Sequence, residues 1–373
     1  MDATPAVVPP YELQSLVDAV LSDADDLSLT LPKILCAQGI GPDLYAGCSN
    51  GELLRLSLHR DSLSEIGSYS LVSRQGIPSG KAVDDIVLTA SISRALVLSD
   101  RNIFIYTLPN LDLVGIQPMR NVVTFAVDEQ HIRRGPPKTD SLHHVDPIDL
   151  CVLKRTSIAL YSLRERLIFQ KDIPLPSRAT LARRTGKYLC FADQQFYNMI
   201  DLEAASLFQL LPLSQAEDSG PVKPFILVIS DNEFLILSWT GASTLGLFIT
   251  GDGDPVRGTL EWPKHPKAVT FDDPYVMTLM PDDSIEIHSI ESQTLVQTIP
   301  PPIQPFNLPP SMLLDRTALF SARNGLFVPS AQRSTKLRKT SVPLLRNTKK
   351  AATENVTTTA PNDDLESELI DPL

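Results

Sequence analysis

Residues 44–58, LYAGCSNGELLRLSL, decide the fold. An apolar run from Leu44 to Cys48 meets a polar turn at Asn50-Gly51, and a second run then mixes apolar and polar positions as far as Leu58. Alternation at a period near two marks a half-buried strand, and Asn-Gly between two such runs is the sequence of a tight hairpin. The stretch predicts two antiparallel strands. Gly51 is expected at positive φ, while Tyr45 and Cys48 are expected at contacts with neighbouring units.

The same unit returns along the chain. ALVLSDRNIFIYTL begins at Ala95, DLCVLKRTSIALYSL at Asp149, KYLCFADQQFYNMIDL at Lys187, EFLILSWTGASTLGLFI at Glu233 and YVMTLMPDDSIEIHSI at Tyr275. A weaker seventh copy, ALFSARNGLFVPS, starts at Ala318 with Arg323-Asn324-Gly325 as its turn. Successive units start roughly 40 to 55 residues apart, the period of four-stranded propeller blades. Helical repeats of that length need apolar residues at 3.6-residue spacing, which these units lack.

Further strand-like runs flank the hairpins: DDIVLTASI, PFILVIS and KAVTF before three of them, RLIFQKDI, SLFQLLPL and TLVQTI after three. Two flanking runs and two hairpin strands make four per unit. A single blade cannot bury both faces, so neighbours must stack around a ring. The expected fold is therefore all-β, a seven-bladed propeller over residues 11–330.

The last unit ends near Ser330 with no evident fourth strand, whereas YELQSLVDAV, from Tyr11, precedes the first complete blade. We read it as the strand that completes the seventh blade and closes the ring. A short amphipathic helix is the alternative, since Leu13, Leu16, Val17 and Val20 also fit a 3.6 period.

Composition agrees with a folded body: 43% of the 373 residues are hydrophobic and 21% charged. Residues 331–373 are expected to form a disordered tail, because seven bases from Arg333 to Lys350 precede six acids from Glu354 to Asp371 with few large apolar residues. Removing the tail's 7 bases and 6 acids from the chain's 33 and 44 leaves the body 26 bases and 38 acids. A body of that charge, in a chain of net charge −11, argues against bulk nucleic-acid binding. The longest apolar runs, such as FILVI from Phe225, fall short of a membrane span, and the N-terminus does not read as a secretion signal. Cys36, Cys48, Cys151 and Cys190 form no CxxC pair and are expected as reduced, buried thiols of a cytoplasmic protein.

No constellation reads as a reactive centre. His143, His144, Asp146 and Asp149 are close in sequence, but adjacent histidines point apart on a strand and the segment reads as a solvated loop. GDGDPVRG, from Gly251 to Gly258, lacks the later ligands of an EF-hand and the ending of a phosphate loop, and reads as a turn between blade strands. There is no G-x-S-x-G elbow. No catalytic, cofactor-binding or metal-binding residue is assigned, no cofactor is expected, and the partner-binding residues remain unassigned. The stretch RSTKLRKTSVPLLRNTKK, from Arg333, reads as solvated, with anionic lipid binding and nuclear addressing as alternatives. The Asn355 sequon carries no weight without a secretory signal. The pairs Arg133-Arg134 and Arg183-Arg184 are candidate rim contacts for an acidic partner.

Two segments carry a resemblance. RNVVTFAVDEQ, from Arg120, with DLCVLKRTSIALYSL resembles the third blade of citron homology (CNH) domains, and DDPYVMTLMPDDSIEIHSIESQTLVQTIP, from Asp272, resembles the sixth. Within CNH domains the chain is most similar to the N-terminal domain of the vacuolar sorting and TGF-β-receptor-associated protein family, subunits of the CORVET and HOPS tethering complexes. GDGDPVRGTLEWP is similar to the fifth blade of its fungal members. The resemblance implies a non-enzymatic interaction propeller in endosome-to-vacuole traffic. Its implied partners are a small Rab-type GTPase and tethering-complex subunits, with peripheral association at endosomal or vacuolar membrane. Members of that family continue into an α-helical solenoid, whereas this chain continues into the charged tail, which leaves a stand-alone CNH protein, a truncated product and an excised domain as readings. A CNH scaffold in Rho-family GTPase signalling and a propeller hydrolase are the alternative functions.

Overall fold

A computed structural model describes residues 9–17, 32–60, 67–136, 146–217, 220–303, 315–322, 325–329 and 334–340. After β1 (Tyr11–Val17), the first blade is the meander β2 (Ile34–Ile40), β3 (Asp43–Cys48), β4 (Glu52–Arg60) and β5 (Gly67–Gly76). The expected hairpin is β3–β4: Ala46 faces Leu54 and Gly47 faces Leu53 across the ladder. Gly51 closes it at φ +83°, and its amide donates to the Cys48 carbonyl at 3.2 Å.

The second blade holds β6 (Val83–Thr89), β7 (Arg94–Ser99) and β8 (Asn102–Thr107). Its fourth strand is an irregular segment bridged at Tyr106–Leu113 and Ile103–Met119. The third blade holds β9 (Thr124–Val127), β10 (Ile148–Leu153), β11 (Ser157–Leu163) and β12 (Leu167–Pro174). A short helix α1 (Glu129–Ile132) follows β9, with Asp128 as its N-cap accepting from the Gln130 amide. The fourth blade is β13 (Leu181–Thr185), β14 (Tyr188–Ala192), β15 (Phe196–Asp201) and β16 (Ser206–Pro212). The fifth is β17 (Ile226–Ser230), β18 (Glu233–Trp239), β19 (Thr244–Thr250) and β20 (Leu260–Trp262). The sixth is β21 (Ala268–Asp272), β22 (Tyr275–Leu279), β23 (Ile285–Ser289) and β24 (Thr294–Ile299).

The seventh blade corrects one expectation and answers another. It runs β25 (Phe320–Ala322), β26 (Gly325–Pro329), β27 (Ser334–Lys339) and then β1, so the N-terminal run is the outer strand and not a helix. Tyr11 pairs with Lys339 and Leu13 with Leu337. The propeller thus does not end at Ser330 as expected: STKLRK, assigned to the tail, is the blade's third strand. The repeated unit of the first six blades is the second and third strands, whereas the copy found at Ala318 is the first and second. Leu337 is buried and Arg338 beside it exposed, and Leu337 is the one apolar residue of STKLRK, so the basic composition hid the strand. The remaining expected tail, residues 341–373, lies outside the described residues.

Packing explains why the middle strands read as continuous apolar runs. In β10, Leu150 and Val152 join a cluster shared with the second blade, while Cys151 and Leu153 join one shared with the fourth. In β3, Tyr45 packs with Val83 and Ile86 of the second blade, while Leu44, Ala46 and Cys48 meet Phe327 of the seventh. Tyr45 and Cys48 therefore sit at blade-to-blade contacts, as expected. Both faces of each second strand are buried, and each fully buried aliphatic side chain contributes about 1.5–3 kcal/mol. The outer strands are the ring's open edges, and the ladder shifts register at β5, β12, β16 and β24. Such bulges twist an edge away from pairing with another sheet.

Candidate functional site

Each blade is an antiparallel meander, so the chain reverses direction at every turn. Turns between second and third strands emerge, with the linkers between blades, on one face of the ring, called here the linker face. Turns between first and second strands and between third and fourth strands emerge on the opposite face.

On the opposite face several charged groups are spent on the protein itself. Arg184, whose side chain is 11% exposed, lies 3.8 Å from Asp128 and 3.7 Å from Asp149. Its Nε donates to the Gly186 carbonyl at 2.9 Å. Asp128 also accepts from the Gly186 amide, tying the third blade to the fourth. His131 Nδ1 accepts from the Asp149 amide, and burial holds this imidazole below its ordinary pKa. Lys187 pairs with Asp201, and Tyr188 donates to Asp252 at 2.9 Å.

GDGDPVRG is the turn from β19 to β20, as expected. Gly253 takes φ +88°, the Gly251 amide donates to Asn232, and Arg257 forks onto both oxygens of the buried Glu233. Its residues serve strand connection and inter-blade contact.

The first strands of the blades surround a central cavity of about 1290 Å³. Asp85, Glu129, Arg133 and Arg183 gather on one side of it. Burial pushes the carboxyls of Asp85 and Glu129 up, opposed by the neighbouring guanidiniums. Arg133 lies 3.6 Å from Glu129 and donates to the Val228 carbonyl, and Arg183 donates to the Ala182 carbonyl. Arg134 donates to the Pro147 carbonyl at 3.2 Å. The two arginine pairs expected as rim contacts are therefore engaged with the protein's own groups.

Among the described residues no three His, Cys, Asp or Glu side chains converge as a metal would require. His143 and His144 lie outside the described residues, and Asp149 faces Arg184. All four cysteines are free and buried. Burial pushes the Cys48 thiol up to about 12 and the Cys151 thiol to about 11, the opposite of what a nucleophilic thiolate needs.

The linker face is different at blades two to four. Arg101 lies in the β7–β8 turn, Arg155 in the β10–β11 turn and Arg178 in the linker before β13. All three are exposed, and they line one cavity of about 630 Å³ with Asp193 and Gln194. Asp193 is already occupied: Oδ1 accepts from the amides of Gln195 and Phe196, and Oδ2 from Ser177 and Asn198. Burial opposes its ionisation, yet these four donors hold its carboxyl below the ordinary range. Sequence reading passes over the three arginines as turn and linker residues, since each stands in a separate repeat.

A ring of seven four-stranded blades defines a seven-bladed β-propeller. Residues 44–306 match the model of the CNH domain, and the chain belongs to that family. It is 24% identical over 314 residues to vacuolar protein sorting-associated protein 3 of Saccharomyces cerevisiae, covering 78% of this chain and 27% of that protein. It is 24% identical over 152 residues to the protein of the same name in Schizosaccharomyces pombe, covering 40% of this chain and 16% of that protein. The chain thus spans about a quarter or less of the length of these curated relatives. Among solved structures, the AfRom2 CNH domain superposes with a TM-score of 0.54 at 15% identity, covering 89% of this chain and 99% of that one. A chain of the mitotic checkpoint complex does so at 0.56 and 13%, covering 91% and 97%. These two share the fold. No enzyme family is indicated by these matches, and among the described residues no helix is long and apolar enough to cross a membrane.

Proposed function

We propose that this propeller is a non-enzymatic protein-interaction domain in endosome-to-vacuole traffic. It docks a small Rab-type GTPase as part of, or alongside, a membrane-tethering complex, and associates peripherally with endosomal or vacuolar membrane. The observation that carries this reading is the 314-residue similarity to a vacuolar protein sorting protein, which spans most of the ring and is not confined to one blade. A rigid ring with two loop-bearing faces offers the broad surface that protein partners need, in keeping with the role. The likeness to the AfRom2 domain supports the fold and does not favour Rho-family signalling over this reading.

The test is a pull-down with Rab proteins locked in the GDP-bound or GTP-bound state. Selective retention of one GTP-bound Rab is expected. Equal retention of both states, or of neither across the endosomal and vacuolar Rabs, counts against the reading.

A further inference from the structure

The cavity on the linker face holds three arginines whose side chains make no hydrogen bond or ion pair among the described residues. We infer that this cavity, lined by Arg101, Arg155 and Arg178, is a docking site for an acidic peptide segment of a partner protein. The inference names a face and a chemistry, and it holds whether or not the partner is a GTPase.

Charge carries the argument. The chain's net charge is −11, so three guanidiniums around a single carboxylate form a local reversal of sign. The one carboxylate lining the cavity, Asp193, is engaged by four neutral donors and forms no ion pair with the arginines, so its single charge offsets only part of theirs. Guanidinium groups present forked donors that match carboxylates two bonds at a time. Gln194 and Gln195 border the same space, and their amides suit the backbone of an extended peptide.

Placement supports the same conclusion. Arg101 sits at φ +60° beside Asp100 at φ +46°, a left-handed pair that closes the β7–β8 turn. Asn and Gly are the usual residues there, so the turn does not itself call for arginine. The three residues stand on turns of the second and third blades and on the linker to the fourth, so the fold brings their backbone positions to one cavity before a ligand arrives.

The shape favours a peptide over a lipid surface. The cavity is concave and local, whereas a bilayer would press the largely acidic ring against its own anionic headgroups. None of the exposed large hydrophobic side chains lines the cavity, so nothing is offered for insertion among acyl chains.

The experiment uses the full chain and a short fluorescein-labelled peptide of glutamate, aspartate and serine, followed by fluorescence anisotropy. Wild type is expected to bind it, more weakly as salt is raised. The triple variant R101E/R155E/R178E is expected to lose at least about tenfold in affinity, with its thermal midpoint unchanged, because the arginines support no internal contact. The control R166E, an exposed arginine in the β11–β12 turn of the opposite face, should bind as wild type does. Equal losses in the control and the triple variant would show general charge attraction and overturn the inference. So would an unaffected triple variant, or binding to vesicles containing phosphatidylinositol phosphates without binding to the peptide.

Discussion

Ring closure through the β1–β27 ladder is testable at Tyr11. Tyr11 is 2% exposed and joins the outer strand of the seventh blade to the sixth. Its hydroxyl donates to Asp272 Oδ2 at 2.7 Å, and its ring meets Tyr275 edge-on with centroids 5.7 Å apart. Burial, then the Asp272 carboxylate, pushes the phenol well above its ordinary pKa, so it remains a donor throughout the accessible range. Its backbone exchanges two hydrogen bonds with the Gln297 side chain, at 2.9 and 2.7 Å.

Tyr11→Phe removes only the hydroxyl. A hydrogen bond to a charged acceptor is worth about 1.5–3 kcal/mol, and less here because Asp272 is partly exposed and retains Lys339, so about 1 kcal/mol is expected. Tyr11→Ala also removes the ring, and truncating a buried aromatic costs about 3–5 kcal/mol. At about 2.1 cal/mol/K per residue over roughly 300 ordered residues, an unfolding entropy near 0.6 kcal/mol/K converts these losses to about 2 °C and about 6 °C in Tm. Deleting residues 1–17, and with them the whole β1 ladder, should cost more than Tyr11→Ala. Thermal and urea unfolding followed by circular dichroism would rank the three variants. A Tyr11→Ala protein within about 0.5 kcal/mol of wild type would refute closure through β1.

Two further predictions follow from single positions. At Gly51, with φ +83°, an added Cβ would stand 2.8 Å from the Lys81 carbonyl oxygen, so Gly51→Val should destabilise by about 2 kcal/mol or more while a folded fraction still binds partners. A variant of wild-type stability that has lost binding alone would contradict this assignment of a purely structural role. His288 is buried edge-on against Trp262, and burial lowers its pKa from 6.5 to about 4. Below pH 6.5 the unfolded chain takes up a proton that the folded ring refuses. Stability present above pH 6.5 is therefore lost as pH falls toward 4, by about 3 kcal/mol at most. Denaturant unfolding of His288→Leu should show a shallower acid limb and little change at pH 7.5, since Nδ1 has no partner to lose. An acid limb as steep as that of wild type would remove His288 from the explanation.

How much was legible in the chain depends on whether a feature is local. The β3–β4 hairpin, the left-handed Gly51 and the strand-connecting role of Gly251–Gly258 follow from residues a few positions apart. The repeat then implies the ring, because a blade with two apolar faces has no other way to bury them. β27 was missed for the converse reason: its pairing partners β26 and β1 lie far from it or beyond a turn in sequence, and with one apolar residue, Leu337, among basic ones it resembles a tail. The arginine pairs at 133–134 and 183–184 suggested a rim contact by their charge, but in the fold Arg133 meets Glu129, Arg184 meets Asp128 and Asp149, and Arg134 and Arg183 donate to backbone carbonyls. Arg101, Arg155 and Arg178 stand alone in three separate repeats, and nothing in their spacing predicts that they share a cavity.

The sequence by itself determined the architecture: strands, the number of blades, and closure by an N-terminal strand, since these follow from periodicity and from the need to bury apolar faces. Only the tertiary structure decided which charges are spent within the ring and which are left for a partner. Backbone pattern is set by near neighbours, whereas the pairing of a charge depends on what a distant repeat places within a few ångströms of it.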